Sequence, residues 1–288
     1  MASADPKEAC SDCPIFIISC PVNVQEKLLR QMKPYLPHGA IIGSVFGQGN
    51  FELVAKYVLG DDIVSKNFTI FSLFNIPYTC LTLEPGKKVM MMAKKEYTRP
   101  CCTPRIRIPE VKLLCEELWQ MPCKPLDNFL EIILTPGNQI IHPGRVMGVY
   151  GNNNVHLMDR QPLFYEEMDQ TSADNIEKLS NEIQLIKHAI LARFPDICLD
   201  SVIPIDQRIC NQYGDSVLDK TCLRTIFATN RGYNNFKVPC KKIGEKFLVN
   251  VEARIFTEDI PFGLCILKDL SEMLDISVPN ITRAIEWH

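Results

Sequence analysis

One histidine in the sequence has neighbours and a position that suit proton transfer. His142 follows two isoleucines in the stretch TPGNQIIHPG, residues 135–144. A histidine beside apolar residues is more often a hydrogen-bonded core residue than a catalytic one, so both interpretations stand at this point. An imidazole that relays a proton needs a group that fixes its tautomer, and a carboxylate is the usual one.

A carboxylate and a guanidinium occur together later in the chain, in the stretch EARIFTEDIPFGLCIL, residues 252–267. Arg254 and Asp259 flank a turn in which Thr257 is predicted to cap a helix that begins near Glu258. The alternative is structural. Asp259 would then stabilise a first helical turn through the helix dipole, and Arg254 would form a surface ion pair. The pattern alone leaves both interpretations open.

The composition limits the class of ligand. The chain has 288 residues, of which 46% are hydrophobic and 23% charged, and its formal net charge is -3. This length favours two domains, and the small net charge argues against nucleic acid or an anionic membrane as the partner. A small neutral or anionic metabolite is the predicted ligand. Lys94 and Lys95 are predicted to be solvated charges.

The cysteines and the N-terminal residues indicate the compartment. MASADPKEACSDCP lacks the apolar core of a signal peptide, and no segment reaches about 18 uninterrupted apolar residues. The 13 cysteines are odd in number and lie largely in apolar runs, which favours reduced, buried thiols over disulfides. Cys10 and Cys13 form a CxxC without a second pair, so no metal site is predicted. We predict a soluble, cytoplasmic protein.

Hydrophobic periodicity predicts the elements that position these residues in the first part of the chain. The β-like runs are PIFIISCPV (14–22), AIIGSVF (40–46), FTIFSL (68–73), KVMMMA (88–93) and FLEIILT (129–135). The helix-like runs between them are VNVQEKLLRQMK (22–33), FELVAKYVL (51–59) and PEVKLLCEELW (109–119). This alternation predicts an α/β domain over residues 1–135, with a Rossmann-type, doubly wound parallel sheet.

Residues 136–288 have long helical periodicity and few β-like runs, which predicts a mostly α-helical second domain. In residues 171–194 one apolar stripe follows a Ser/Thr cap, and it consists of Ile176, Leu179, Ile183, Ile186 and Ile190. The domain boundary is predicted at Pro136-Gly137. His142 then lies just beyond that boundary and a few residues after the predicted strand FLEIILT, where α/β enzymes commonly bind ligands.

Several separated motifs resemble the octopine/nopaline (opine) dehydrogenase family. NQIIHPG resembles the N-x-x-x-H-P-G segment that opens its helical domain, and RIFTEDIPFG, residues 254–263, resembles its R-x-x-x-x-D-I-P-[YF]-G segment. ISCPVNVQE, GSVFGQGNFE and NIPYTC resemble a mid-domain strand and loop, a G-x-x-G-Q-x-G-F turn and an L-P-[WY]-A-C segment. The resemblance covers nearly the whole chain.

This resemblance implies a reductive condensation. An α-keto acid such as pyruvate forms an imine with an amino acid, and NAD(H) or NADP(H) supplies the hydride. By the family's roles His142 is the proton relay, Asp259 orients it, and Arg254 binds the keto-acid carboxylate through two parallel hydrogen bonds. The matching motif positions place Asn138 at the substrate and four residues at the cofactor, namely Pro21, Gly47, Gln48 and Cys80.

The N-terminal part departs from the family pattern. A dinucleotide-binding domain opens with a strand and a Gly-rich turn whose amides bind the pyrophosphate, and the sequence contains no such turn. The chain therefore resembles a family member with a partial Rossmann domain. We expect weak cofactor binding and little NAD(P)H-dependent activity from the chain as written.

Phe74 marks a second departure. Arginine-using members of the family carry a glutamate at this place, ahead of the L-P segment, and an apolar residue does not compensate a buried guanidinium. Phe74 is therefore predicted to contact the amine donor, which we expect to be a small or apolar amino acid or taurine rather than arginine. The alternative for Phe74 is plain core packing.

Two other functions remain open. One is a non-catalytic descendant of the family that binds a carboxylate ligand or a partner subunit. Such a protein would be expected to lack the phosphate-binding turn. A two-domain hydroxyacid dehydrogenase would use the same histidine, aspartate and arginine to reduce a carbonyl, although the RIFTEDIPFG context argues against it. The sequence determines neither the oligomeric state nor the choice between NADH and NADPH.

Overall fold

The computed structural model describes residues 3–11, 13–151 and 157–288. The chain divides into two compact units, one formed by Met1–Ile76 with Tyr97–Thr135 and the other by Pro77–Glu96 with Pro136–His288. The sequence predicts that residues 77–96 belong to the first domain, whereas the structure groups them with the second unit. The Asn-rich stretch 152–154, which the sequence favours as a loop, lies outside the described residues.

The elements are numbered in chain order. The strands are β1 (Ile15–Ile18), β2 (Ile41–Ser44), β3 (Thr69–Leu73), β4 (Tyr78–Glu84), β5 (Lys88–Lys94), β6 (Pro100–Thr103), β7 (Cys240–Ile243) and β8 (Lys246–Val249). The α-helices are α1 (Pro6–Cys10), α2 (Val22–Met32), α3 (Phe51–Leu59), α4 (Asp62–Ser65), α5 (Ile108–Trp119), α6 (Leu130–Ile133), α7 (Asn138–Tyr150), α8 (Gln170–Arg193), α9 (Ile205–Tyr213), α10 (Leu223–Ala228), α11 (Cys265–Met273) and α12 (Pro279–Trp287). A π helix, Ile255–Leu264, runs directly into α11.

The first unit contains a four-stranded sheet in the order β1-β2-β3-β6. Strands β1, β2 and β3 are parallel, and β6 pairs antiparallel with β3. Every residue of β2 and β3 is buried, which matches their continuous apolar runs. The predicted α/β part followed by a helical part is confirmed, and the antiparallel strand at the edge makes the sheet mixed.

The predicted strand FLEIILT is wrong, because these residues form the short helix α6. The amides of Ile133 and Leu134 donate to the carbonyls of Phe129 and Leu130 at 3.1 and 2.8 Å, as in a helical turn. The buried carboxylate of Glu131 accepts from the Asp127 amide at 2.8 Å, which joins the turn to the preceding loop. Short apolar runs do not distinguish a strand from a buried helical turn by periodicity.

Helix α8 is the long helix of the second unit. Its predicted stripe is buried throughout and consists of Ile176, Leu179, Ile183, Ile186 and Ile190. The predicted Ser/Thr cap is wrong, because Asp169 caps the helix and its carboxylate accepts from the Ser172 amide at 2.8 Å. The cap leaves Ser172 inside the first turn, where it faces α7.

Helices α7 and α8 pack closely because α7 carries small residues at the contact. A Cβ on Gly148 would lie 2.0 Å from Ser172 Oγ and 2.7 Å from its Cα, so no side chain fits there. Gly144, one helical turn earlier, faces Ile176 in the same way. The HPG motif therefore has a packing function in addition to any chemistry.

Strands β4 and β5 form a two-stranded ribbon in the second unit. Lys95, at its end, is only 4% exposed, so the prediction that it is a solvated charge is wrong. Its Nζ donates to Thr79 Oγ1 at 2.9 Å and lies 3.4 Å from the ring centroid of Tyr213. Burial lowers the pKa of Lys95 to about 7.

The 13 cysteines are all free thiols. In the part of the chain that the structure describes, none of the helices combines the length and the hydropathy required to span a bilayer.

Candidate active site

His142 lies in the second turn of α7. Its Nδ1 lies 2.7 Å from Oδ2 of Asp259 on the π helix, and the two side chains are 20% and 11% exposed. The rings of His142 and Phe164 pack in a T-shaped arrangement, with centroids 5.0 Å apart. The predicted proximity of His142 and Asp259 is confirmed, and their catalytic roles stay predictions.

The π helix places Asp259 beside α7. Gly263 allows this approach, because a Cβ there would lie 2.1 Å from Cγ and 2.4 Å from Cβ of Gln139. Pro261 interrupts the regular hydrogen bonding of the π helix, and Phe262 has φ -102 and ψ 17, outside helical values. The D-I-P-F-G sequence therefore forms a bent, closely packed segment that holds the carboxylate against His142.

The pairing with Asp259 determines the tautomer of His142. An ionised carboxylate only accepts hydrogen bonds, so Nδ1 carries the proton and donates it to Asp259. Nε2 then has a lone pair and no partner among the described residues. The free nitrogen can take up and return a proton at the substrate.

Arg254 forms an ion pair that the sequence analysis gave only as the alternative. Its Nε and Nη2 donate to the two carboxylate oxygens of Glu258 at 2.5 and 2.7 Å. Hydrogen bonding to Glu258 raises the pKa of the Arg254 guanidinium. The side chain of Glu258 is 7% exposed and that of Arg254 72%, so the carboxylate is buried beneath an accessible guanidinium.

Glu258 therefore occupies one edge of Arg254, and the other edge, formed by Nη1 and Nη2, has no carboxylate partner among the described residues. The predicted helix start near Glu258 is wrong, because the π helix begins at Ile255. Thr257 lies inside that helix, and no side chain caps its N-terminus.

A cavity of about 450 Å³ adjoins these residues within the second unit. Its polar lining consists of Asn138, His142, Lys237, Arg254 and Asp259. Its apolar lining consists of Phe164, Tyr165, Phe236, Pro239, Ala253 and Ile255. The cavity thus brings together four predicted site residues, Asn138 at the start of α7 among them.

Arg145 anchors the aromatic wall of the cavity. It follows the HPG motif, is buried, and donates to the carbonyls of Phe164, Leu163 and Glu167 at 2.8, 3.2 and 2.8 Å. It also donates to the side chains of Asp169 and Ser172. A single guanidinium thus ties the Phe164 segment to the start of α8, which keeps the Phe164 ring against His142.

Three of the four predicted cofactor residues lie where the parallel strands of the first unit end. Pro21 follows β1 and precedes α2, whereas Gly47 and Gln48 follow β2. The Gly47 amide donates to the carbonyl of Leu73, the last residue of β3, at 2.8 Å. Gln48 is buried, and its Nε2 has no hydrogen-bond partner among the described residues. Cys80, the fourth, is exposed on β4 in the second unit.

Phe74 lies in the first unit and packs in an apolar cluster with Cys101, Leu126, Phe129 and Ile132. It is absent from the lining of the cavity described above. This environment matches the core-packing alternative, and contact of Phe74 with an amine donor stays a prediction.

Four residues belong to the site without having been predicted from the sequence, namely Glu258, Lys237, Phe164 and Arg145. Glu258 carried a usable signal, because an acid four residues after Arg254 on a helix is placed to pair with it. Lys237 and Phe164 carried none, since long-range packing alone brings them to the cavity.

An α/β unit with parallel strands, together with a helical unit that carries a His-Asp pair and an arginine, defines a two-domain dehydrogenase of the NAD(P)-dependent class. The comparisons with known proteins name the family. The family model for "NAD/NADP octopine/nopaline dehydrogenase, alpha-helical domain" matches residues 125–288, more than half of the chain. The chain therefore belongs to the octopine/nopaline dehydrogenase family of oxidoreductases.

Individual relatives span nearly all of this chain. Tauropine dehydrogenase from Arabella iricolor is 26% identical, and the match covers 100% of this chain and 73% of that protein. Octopine dehydrogenase from Pecten maximus is 26% identical over 98% of this chain and 71% of its own length.

Solved structures show the same fold. Octopine dehydrogenase with NADH and L-arginine superposes with a TM-score of 0.84 at 26% identity, over 99% of this chain and 71% of that one. Yersinopine dehydrogenase with bound NADP+ matches with a TM-score of 0.63 at 14% identity, over 98% of this chain and 72% of that one, and this likeness concerns the fold alone.

Proposed function

We propose that this chain provides the catalytic site for the NAD(P)H-dependent condensation of an α-keto acid, such as pyruvate, with an amino acid or taurine. The product is a secondary amine that carries two acid groups. The observation that carries the proposal is the 2.7 Å contact between His142 and Asp259 in the lining of a cavity that also contains Arg254. Membership of the octopine/nopaline dehydrogenase family supports the same reaction.

The binding roles follow from charge and geometry. Arg254 would bind the keto-acid carboxylate through its Nη1 and Nη2 edge, because Glu258 occupies the other edge. Asn138, also in the lining, would contribute amide hydrogen bonds to the substrate. The aromatic wall formed by Phe164 and Tyr165 would limit the access of water to the reacting carbon.

His142 would move the protons of the reaction. The carbonyl carbon bonds to the amine nitrogen, and the carbonyl oxygen leaves as water. Nε2 would accept a proton from the attacking amine and return it to the departing oxygen, while Asp259 stabilises the imidazolium formed between these steps. One keto acid, one amine, one NAD(P)H and one proton thus give one secondary amine, one NAD(P)+ and one water.

The nicotinamide cofactor would supply the hydride that reduces the imine carbon. The first unit fits part of such a cofactor, because Gln48 carries a buried Nε2 without a hydrogen-bond partner in the described chain, where the parallel strands end. Pro21, Gly47 and Gln48 would hold it there. We infer further that the first unit, residues 1–76 and 97–135, forms the nucleotide-binding domain and that the second unit, residues 77–96 and 136–288, forms the substrate domain. The free thiols support a cytoplasmic location.

The test measures oxidation of NADH and of NADPH with pyruvate and a panel of amines that includes glycine, alanine, arginine and taurine. Both the chain itself and a form extended at its N-terminus by a nucleotide-binding half with a Gly-rich turn are assayed, because the amides of such a turn bind the pyrophosphate. We expect turnover that requires the amine in at least one form, with arginine the poorest of the four donors.

The variant His142→Asn should lower kcat by about 10²-fold or more, because it removes the proton relay. The control is His188→Asn, which changes an exposed histidine on α8 and should leave kcat within about twofold. Oxidation that proceeds with pyruvate alone would identify a hydroxyacid dehydrogenase instead. Absence of turnover in both forms would contradict the proposal.

A further inference from the structure

The charges that line the cavity are unevenly compensated. Arg254 is neutralised by Glu258, and His142 is paired with Asp259. Lys237 also lines the cavity, and it has no acidic partner among the described residues. Among the described residues of this lining, Lys237 is therefore the cation without a compensating acid.

The proposed reaction requires a second cationic group. Its product has one acid group from the keto acid and another from the amine donor, and the free edge of Arg254 accommodates one of them. A second anion in a partly enclosed cavity costs free energy unless a positive charge lies near it. The inference that follows therefore rests on the function proposed above.

The backbone around Lys237 is fixed by pairing with the segment that forms the aromatic wall. The Phe164 amide donates to the carbonyl of Phe236 at 2.7 Å, and the Val238 amide donates to the carbonyl of Pro162 at 3.0 Å. Lys237 lies opposite Leu163 in this antiparallel pairing. The buried Arg145 guanidinium binds the carbonyls of Leu163 and Phe164, so the base of the Lys237 side chain is well anchored.

We propose that Lys237 binds the acid group of the amine donor and so makes the site selective for donors that carry a carboxylate or a sulfonate. Lysine suits either group, because its ammonium is a compact charge without the planar fork by which arginine prefers carboxylates. Its exposed, flexible side chain allows the ammonium to follow donors of different length.

The test compares equilibrium binding of two ligands that differ by one acid group. Iminodiacetate is a secondary amine with two carboxylates, and sarcosine, N-methylglycine, has only one. Binding is measured by NMR titration with and without NADH, so the readout does not depend on turnover. N-(carboxymethyl)taurine has a sulfonate in place of one carboxylate of iminodiacetate. The ratio of the two affinities shows whether the site prefers a carboxylate donor or taurine.

Lys237→Met should weaken iminodiacetate binding about 5- to 20-fold and sarcosine binding less than about twofold, because only the larger ligand reaches the ammonium. Lys237→Arg should restore most of the affinity. The matched control is Lys242→Met, since Lys242 is an exposed lysine of the same unit that pairs with Glu245 outside the cavity.

Each other outcome overturns the proposal in a recognisable way. If Lys237→Met weakens the binding of iminodiacetate and of sarcosine equally, Lys237 has a structural role. Unchanged iminodiacetate binding in Lys237→Met, with weakening in Arg254→Met, would remove Lys237 from the site and leave the proposed function standing. If the unmodified chain does not bind iminodiacetate at all, both proposals fail.

Discussion

At the scale of single residues, the site depends on two carboxylates with different tasks. Asp259 accepts from His142, whereas Glu258, its neighbour in sequence, binds Arg254. Consecutive residues of the π helix thus bind His142 and Arg254 separately. The spacing R-x-x-x-E-D encodes both pairs, because positions one residue apart on a helix point in different directions.

The variant Asp259→Asn tests the tautomer assigned to His142. The Asn amide has nearly the same shape but can donate a hydrogen bond to Nδ1, which would place the imidazole proton on Nε2. We expect kcat in the active form to fall by about 10²-fold or more, with little change in the unfolding midpoint. Nitrogen NMR of His142 reports the tautomer directly.

The control for this variant is Asp269→Asn, which changes an exposed acid on α11. It should affect neither kcat nor the His142 spectrum. An unchanged tautomer and an unchanged kcat in Asp259→Asn would show that Asp259 does not orient the histidine.

At the scale of elements, the contact between α7 and α8 holds the histidine in place. Gly144 and Gly148 let the helices approach, and Arg145 between them binds Asp169 and Ser172 at the start of α8. One face of α7 therefore performs the packing while the adjacent face presents His142 to the cavity. The residues of α7 that pack against α8 and the residue that faces the cavity thus lie within one short segment of sequence.

Gly148→Ala should destabilise the second unit by about 1–3 kcal/mol, because the added methyl would overlap Ser172. The higher helix propensity of alanine offsets at most about 1 kcal/mol of this cost. Urea unfolding followed by circular dichroism measures the change. Asn181→Ala, on the exposed face of α8, is the control and should shift stability by less than about 0.5 kcal/mol. A stability equal to that of the unmodified chain would show that the helices can separate without cost.

At the scale of the whole molecule, the burial of Lys95 links stability to pH. The pKa of this lysine falls from its ordinary value of 10.5 to about 7 in the folded chain. Between these values the unfolded chain binds a proton that the folded chain does not, so the free energy of unfolding rises as pH rises. Below about pH 7 both states carry the proton, and the cost of burying the charge is felt in full.

Lys95→Met should remove this dependence. Compared with the unmodified chain, the variant should gain stability at pH 6.5 and lose that advantage as pH rises, with a difference in slope approaching about 1.4 kcal/mol per pH unit above pH 8. Urea unfolding from pH 6.5 to 9.5 measures the difference, and Lys88→Met, an exposed lysine on the same ribbon, is the control. Parallel pH profiles for the variant and the unmodified chain would mean that Lys95 stays protonated when buried.

The local pattern of the sequence determined much of the fold and the central pair of the site. The stripe of α8 repeats at the helical period, and the apolar runs of β2 and β3 are continuous. Both patterns therefore indicate which positions are buried. The HPG and RIFTEDIPFG motifs were sufficient to pair His142 with Asp259, because their resemblance to a known family carried long-range information that periodicity lacks.

Tertiary structure alone decided the remaining features. It made FLEIILT a helical turn, buried Lys95 against Tyr213, and brought Lys237 to the same cavity as His142. The physical reason is common to all three. A sequence pattern indicates which face of an element is buried. The residues that cover this face lie far along the chain. Their contact contributes free energy only in the folded protein, so the local pattern does not identify them.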